Sequence, residues 1–178
     1  TLGLEAAGVR ATGRGIEVNE YMETSVAGVF AIGDCAATKQ LAPIGDMEAR
    51  VAAANILSSH VRRADYNRVP SVVFTHPQMA SVGLTSAEAQ SSGHEVTVTS
   101  GRGDGWPSSR RLGGAIVYYE TVTDSVSGKL LGASITSPYA GEQINLFTAA
   151  IRSGMTADEF RETPWAYPTY TSDLKYMV

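Results

Sequence analysis

Cysteine is almost missing. Cys35 is the only one in 178 residues, so no disulfide can close within the chain, and a reducing cytoplasm is the compartment that suits it. Histidine is scarce too: His60, His76 and His94 stand at no metal-ligand spacing, and no metal site is expected. No apolar run approaches the roughly 20 residues that span a bilayer, and no basic-then-apolar segment opens the chain, so no membrane partner is expected. N-x-[ST] sequons are absent. Charge of one sign never accumulates, since 18 acidic and 14 basic residues leave a net −4. Without a concentrated basic face, nucleic acid is excluded as a main partner. Arg102-Gly103-Asp104 spells an adhesion tripeptide, but it lies in a Gly/Ser loop where such triplets arise by chance.

What is present is enough apolar matter for a core, 43% of the residues. The first segment reads as a connection, a strand, a loop and a helix. "GVFAIGD" (28–34) is a run of strand formers ended by Gly33-Asp34, which predicts a buried strand delivering a carboxylate at its C-terminal edge. A helix follows within 38–61, with Pro43 suited to its first position and Asp46 and Glu48 complementing the positive end of its dipole. Met47, Val51, Ala54 and Leu57 form its expected apolar stripe. A buried parallel strand needs neighbours on both sides, and this segment offers no others of that kind. It therefore reads as the end of a larger domain.

"RRADYNRVP" (62–70) is polar and ends in proline, a boundary signal. Beyond it the pattern becomes antiparallel α+β. Strands are predicted at 71–75 and 80–84, then a short helix capped by Thr85 with Glu88 three residues on, and a strand at 95–100. The Gly-rich stretch 101–114 reads as loop. Residues 114–124 and 129–137 alternate around Ser127-Gly128, a hairpin signal. A helix is predicted over 140–154, with Ile144, Phe147 and Ile151 on one face and Gly154 as its stop.

The segments "TSVAGVFAIGDCAA", "LAPIGDMEARVAAANI", "VVFTHPQMASVGLT" and "SGKLLGASITSPYAGEQINLFTAAI" resemble, in order and spacing, the flavin-dependent pyridine nucleotide–disulfide oxidoreductases. That group includes glutathione reductase, dihydrolipoamide dehydrogenase and mercuric reductase. The resemblance implies an incomplete FAD-binding domain over 1–65, the tail end of an α/β unit, and an α+β interface domain over 66–178 that forms a homodimer. It implies FAD and NAD(P)H as cofactors and a small-molecule electron acceptor, either a disulfide, a quinone or another. The family's Gly-rich strand–helix, redox Cys-x4-Cys pair and nucleotide domain do not occur in this sequence, so a C-terminal fragment, inactive alone, is expected.

Carried over position by position, Gly33 and Asp34 match the flavin motif, whose carboxylate accepts a hydrogen bond from the ribityl chain. Ala42 and Pro43 match the helix start whose amide approaches the flavin pyrimidine edge, where only backbone is used. Phe74, with Val72, matches positions near the nicotinamide, though core packing of a strand is an equal reading. His76 is read as structural, and Cys35 is not a redox cysteine. The tail departs from the pattern. Where the family has His-Pro-Thr and a glutamate five residues on, this chain has Tyr167-Pro168-Thr169, then Ser172 and Asp173. A phenol with an ordinary pKa of about 10 is no general base near neutrality, but Tyr167 can donate a hydrogen bond or wall a planar pocket. Mercuric reductase has a tyrosine near that place, but its tail cysteine pair is missing here, which disfavours mercury chemistry. The alternative reading is a dimerisation module with no chemistry of its own.

Overall fold

The computed structural model describes residues 2–178. The chain divides into two compact units, one ending at Tyr66 and the other running Asn67–Val178.

In the first unit, β1 (Ala11–Thr12) and β2 (Gly15–Ile16) form a small antiparallel ladder, and α1 spans Ala42–Leu57 with Pro43 in its first turn. The run 28–34 is not a strand. Phe30 makes a single bridge to Glu23, Val29 and Ile32 are partly exposed, and Gly33–Cys35 closes into a 3-10 turn. A ladder needs partners on its edges, and none of the described residues lies beside this run as a strand. The face of α1 also differs from expectation. Ile44, Glu48, Val51, Ala52 and Asn55 are buried while Leu57 is exposed, because Met22, Phe30 and Tyr66 pack on that side. The first turn of α1 holds no acid, so Asp46 and Glu48 do not serve the dipole there. Asn55 pins the helix by donating to the carbonyls of Tyr21 and Arg62 and accepting from Arg62 N–H.

The second unit is an α+β fold built on a five-stranded antiparallel sheet, ordered β3-β4-β7-β6-β5. Its strands are β3 (Ser71–Val73), β4 (Gln78–Gly83), β5 (Val96–Arg102), β6 (Tyr118–Asp124) and β7 (Leu130–Ser137). Alternation in β7 sends Ala133 and Ile135 inward against α4 (Ala140–Ser153), a bulge at Leu131 opposite Val122/Thr123 brings Leu130 inward as well, and Ile144, Phe147 and Ile151 of α4 are buried. Each such side chain contributes roughly 1.5–3 kcal/mol on burial. Gly154 ends α4 in the left-handed region at φ 73°, where glycine carries no Cβ penalty. Gly83 and Gly132 pair across β4 and β7. A Cβ on Gly83 would collide with the Leu131 carbonyl, and one on Gly132 with the Leu84 carbonyl.

Three short helices complete the unit. Ser86–Ser91 forms α2 behind the Thr85–Glu88 capping box, and Ala157–Glu162 forms α5 behind a second box, Thr156–Glu159. The stretch 101–114 is not all loop. Pro107 starts a one-turn helix there, α3 (Pro107–Arg111), because its fixed φ suits a first helical turn and Trp106 before it packs on Tyr119. The tail crosses back over the core, burying Leu174 and Met177. Among the described residues, no helix is long and apolar enough to cross a membrane.

Candidate functional site

The Gly33-Asp34 turn is held from beneath. Ile32 arrives extended and Gly33 turns the chain at φ 65°, a conformation that favours glycine. A Cβ on Gly45 would sit 3.5 Å from the Cα of Gly33, an ordinary van der Waals contact, so the turn lies against the first turn of α1 and only the positive φ of Gly33 calls for glycine. Glu48, fully buried, fixes the pair. One carboxylate oxygen accepts from Gly33 N–H at 2.6 Å and the other from the Tyr66 hydroxyl at 2.8 Å. Burial first, and then the hydrogen bond to Glu48, pushes the Tyr66 phenol well above its usual range, so it stays a donor.

Above this support Asp34 is exposed, and its own carbonyl accepts from the Gln40 amide at 3.3 Å. Ala42 and Pro43 are exposed at the start of α1, where helix geometry leaves the first amides without intrahelical acceptors and the dipole is positive. Gly33, Asp34, Ala42 and Pro43 thus lie together at one helix start. Of the first amides of α1, those of Ile44 and Gly45 donate to the Leu41 carbonyl and Pro43 has none, which leaves the Ala42 N–H. A carboxylate beside it can bind a polyol hydroxyl and an electron-rich heterocycle edge. The residues present fit the polar parts of a flavin nucleotide.

The other sequence-selected residues lie in the second unit. Phe74, just past β3, is 83% exposed and lines an open groove of about 410 Å³ with Val72, Gln78, Tyr139 and Gly141. Tyr167 is 66% exposed. Ahead of it, Trp165 lies on Phe160, ring centres 5.1 Å apart, and donates its indole N–H to the Phe160 carbonyl. Ser172 and Asp173 are buried and their bonds go elsewhere. Ser172 donates to the Thr169 carbonyl and accepts from Thr169 N–H, while Asp173 accepts from the Ser108 hydroxyl. The structure therefore does not bring Ser172 or Asp173 to Tyr167 as an orienting pair. Sequence reasoning missed Glu48 and Tyr66 as supports of the turn. The available signal was an acid in the middle of the apolar, Ala-rich face of α1.

Residues 69–178 match the pattern of the pyridine nucleotide-disulphide oxidoreductase dimerisation domain, and residues 1–55 that of pyridine nucleotide-disulphide oxidoreductase. An uncharacterised 19.7 kDa protein in a mercuric resistance operon of Staphylococcus aureus is 34% identical, over 99% of this chain and 100% of its own length. The dihydrolipoyl dehydrogenase of Thermus scotoductus is 41% identical over 97% of this chain, which spans only 37% of that protein. The mercuric reductase of S. aureus is 34% identical over 98% of this chain and 32% of that protein. The fold also matches the HOCl-induced flavoprotein disulfide reductase RclA from Escherichia coli, with a TM-score of 0.90, 23% identity, and coverage of 99% of this chain and 41% of that one.

Proposed function

The chain belongs to the pyridine nucleotide-disulphide oxidoreductase family, and from that footing we propose that it is part of a homodimeric, cytoplasmic, NAD(P)H-dependent flavoprotein oxidoreductase with a small-molecule electron acceptor. Residues 1–65 supply the last part of its FAD-binding domain and residues 66–178 its interface domain. FAD, when bound, carries electrons between NAD(P)H and the acceptor. The chain's own residues bind and orient. Asp34 would accept from a ribityl hydroxyl and the Ala42 amide would serve the pyrimidine edge, with Pro43 presetting the helix start, while Glu48 holds the Gly33 amide of the turn. Phe74, exposed in its groove, would serve the nicotinamide. Exposed Tyr167 donates a hydrogen bond to the acceptor, a quinone rather than a disulfide, or walls its pocket, because no histidine–glutamate pair stands there to move thiol protons.

The observation that carries this reading is the Gly33 amide locked to buried Glu48 beneath an exposed Asp34. FAD titrated into ¹⁵N-labelled chain is expected to shift the amide resonances of Gly33, Asp34 and Ala42, and Asp34→Ala to weaken the effect. Shifts confined to other residues would sink the placement. For the acceptor, steady-state assays of an active flavoenzyme bearing these residues decide. Efficient turnover of a physiological disulfide that Tyr167→Phe abolishes would make the tyrosine a replacement for the histidine and overturn the quinone reading. The S. aureus relative, matched over its whole length, favours a second reading in which a chain of this extent acts as a dimerisation module without chemistry of its own. A stable dimer of this chain, together with unchanged FAD content on Asp34→Ala in a flavoenzyme bearing these residues, would select it.

A further inference from the structure

Asp173 has no part in the function proposed above, yet it is the most buried acid among the described residues of the second unit. It is 1% exposed. One carboxylate oxygen accepts from the Ser108 hydroxyl of α3, and the other, Oδ1, is buried with no partner. The Ser109 hydroxyl beside Ser108 and the Tyr170 hydroxyl are buried and unpartnered as well. Arg111 on α3 and Lys175 in the tail lie close enough to act on Asp173 electrostatically. Neither forms an ion pair with it among the described residues. A buried carboxylate with one hydroxyl donor and no counter-ion is costly, whereas its neutral acid is not.

We propose that Asp173 is a proton-operated clamp between α3 and the C-terminal tail, closed when its carboxyl is neutral and loosened when the carboxyl ionises. The clamp sits at the centre of the tail's attachments. On one side the Gln143 amide donates to the Tyr170 carbonyl at 3.0 Å. On the other the Thr121 hydroxyl donates to the Met177 carbonyl at 2.5 Å, and Leu174 and Met177 fill the core. Trp106, immediately before α3, lies between Tyr119 and Tyr176, at 5.6 Å and 5.7 Å between ring centres. Loosening at Asp173 therefore moves the rings around Trp106.

Burial raises the Asp173 carboxyl from 3.8 to about 6, against a smaller opposing pull from Arg111 and Lys175. Because the closed tail holds the proton more tightly than an open one, closure is favoured at low pH and weakens as pH rises through about 6. Across the window between the two values the closed–open balance shifts by about a hundredfold. Of the groups facing the carboxyl, only Tyr170 is another acid, and burial first, then Tyr139 and Asp173, raises its phenol, which keeps it neutral over this window.

The test is acrylamide quenching of Trp106 in the full chain carrying Trp165→Phe, from about pH 3.5 to about pH 7.5, a range that spans both the open and the closed value of the carboxyl. Quenching is expected to rise with a midpoint near pH 6. Asp173→Asn is expected to hold it at the protected, low-pH level throughout. All three histidines remain in that variant, so a histidine-linked change would persist there. A persisting transition, or a flat wild-type profile, overturns the proposal. Should Asp173→Asn fail to fold, Ser108→Ala substitutes for it. Loss of the one donor to the carboxylate must move the midpoint upward, and an unmoved midpoint overturns the clamp.

Discussion

Replacing Glu48 by alanine tests the support of the candidate flavin turn most directly. The carboxylate receives the Gly33 amide and the Tyr66 hydroxyl, at 2.6 and 2.8 Å, and is fully buried. Hydrogen bonds to a charged group are each worth about 1.5–3 kcal/mol net. Their loss also strands two donors, while removing the charge relieves some desolvation. The balance is a local loss of about 3–5 kcal/mol. Glutamine keeps the volume and one acceptor, its amide can donate to Tyr66, and the cost falls to about 1–2 kcal/mol. Amide hydrogen exchange by NMR at Gly33, with Val51 and Ala52 as helix references, reads the local opening free energy. A cycle with Tyr66→Phe should show about 1–2 kcal/mol of coupling to Glu48. Equal losses for alanine and glutamine, or unchanged Gly33 exchange in both, would refute the reasoning, since the turn would then be held by something other than these bonds.

Phe147→Ala removes a fully buried ring stacked on Phe160 at 4.8 Å and is expected to cost about 3–5 kcal/mol in urea unfolding of the second unit. The Asp124 carboxyl is held well below its usual range by Ser127 N–H and then by His94. Its contribution is therefore present above the ordinary carboxylate value and lost as pH falls below it, and Asp124→Asn should flatten the acid limb of thermal stability. The chain should sediment as a twofold dimer at concentrations on the order of tens of micromolar, and a monomer there would count against homodimerisation through the matched domain.

The antiparallel unit was legible wherever period and punctuation agreed. The spacing of Ile144, Phe147 and Ile151, closed by Gly154, located α4, and Ser127-Gly128 located the hairpin between β6 and β7. Thr85 and Glu88 marked α2, and the same spacing at Thr156 and Glu159 marked α5, which was not read. Pro107 opened α3 inside a stretch whose glycines suggested only loop. The apolar run ending at Gly33 misled because strand composition describes a preference that only neighbouring strands can realise. At the candidate site, Gly33-Asp34 stood out as the carboxylate ending an apolar run, whereas Ala42 was singled out through resemblance alone. Glu48 was visible as an acid but not as a buried one, since only packing against Phe30, Met22 and Tyr66 defines the inner face of α1.

The facing glycines of β4 and β7 have a consequence for how the sheet is assembled. Gly83 stands opposite Gly132 at the end of a six-residue ladder, joining strands that are far apart in sequence. At each of the two positions only a hydrogen fits beneath a neighbouring backbone carbonyl. Sliding one strand past the other by a single residue inverts its buried and exposed faces. Any longer slip carries a residue with a side chain into one of the two hydrogen-sized slots. The pair therefore works as a check on register: displaced alignments meet a backbone carbonyl, and the alignment that fits is the one that presents Val82, Ala133 and Ile135 to α4.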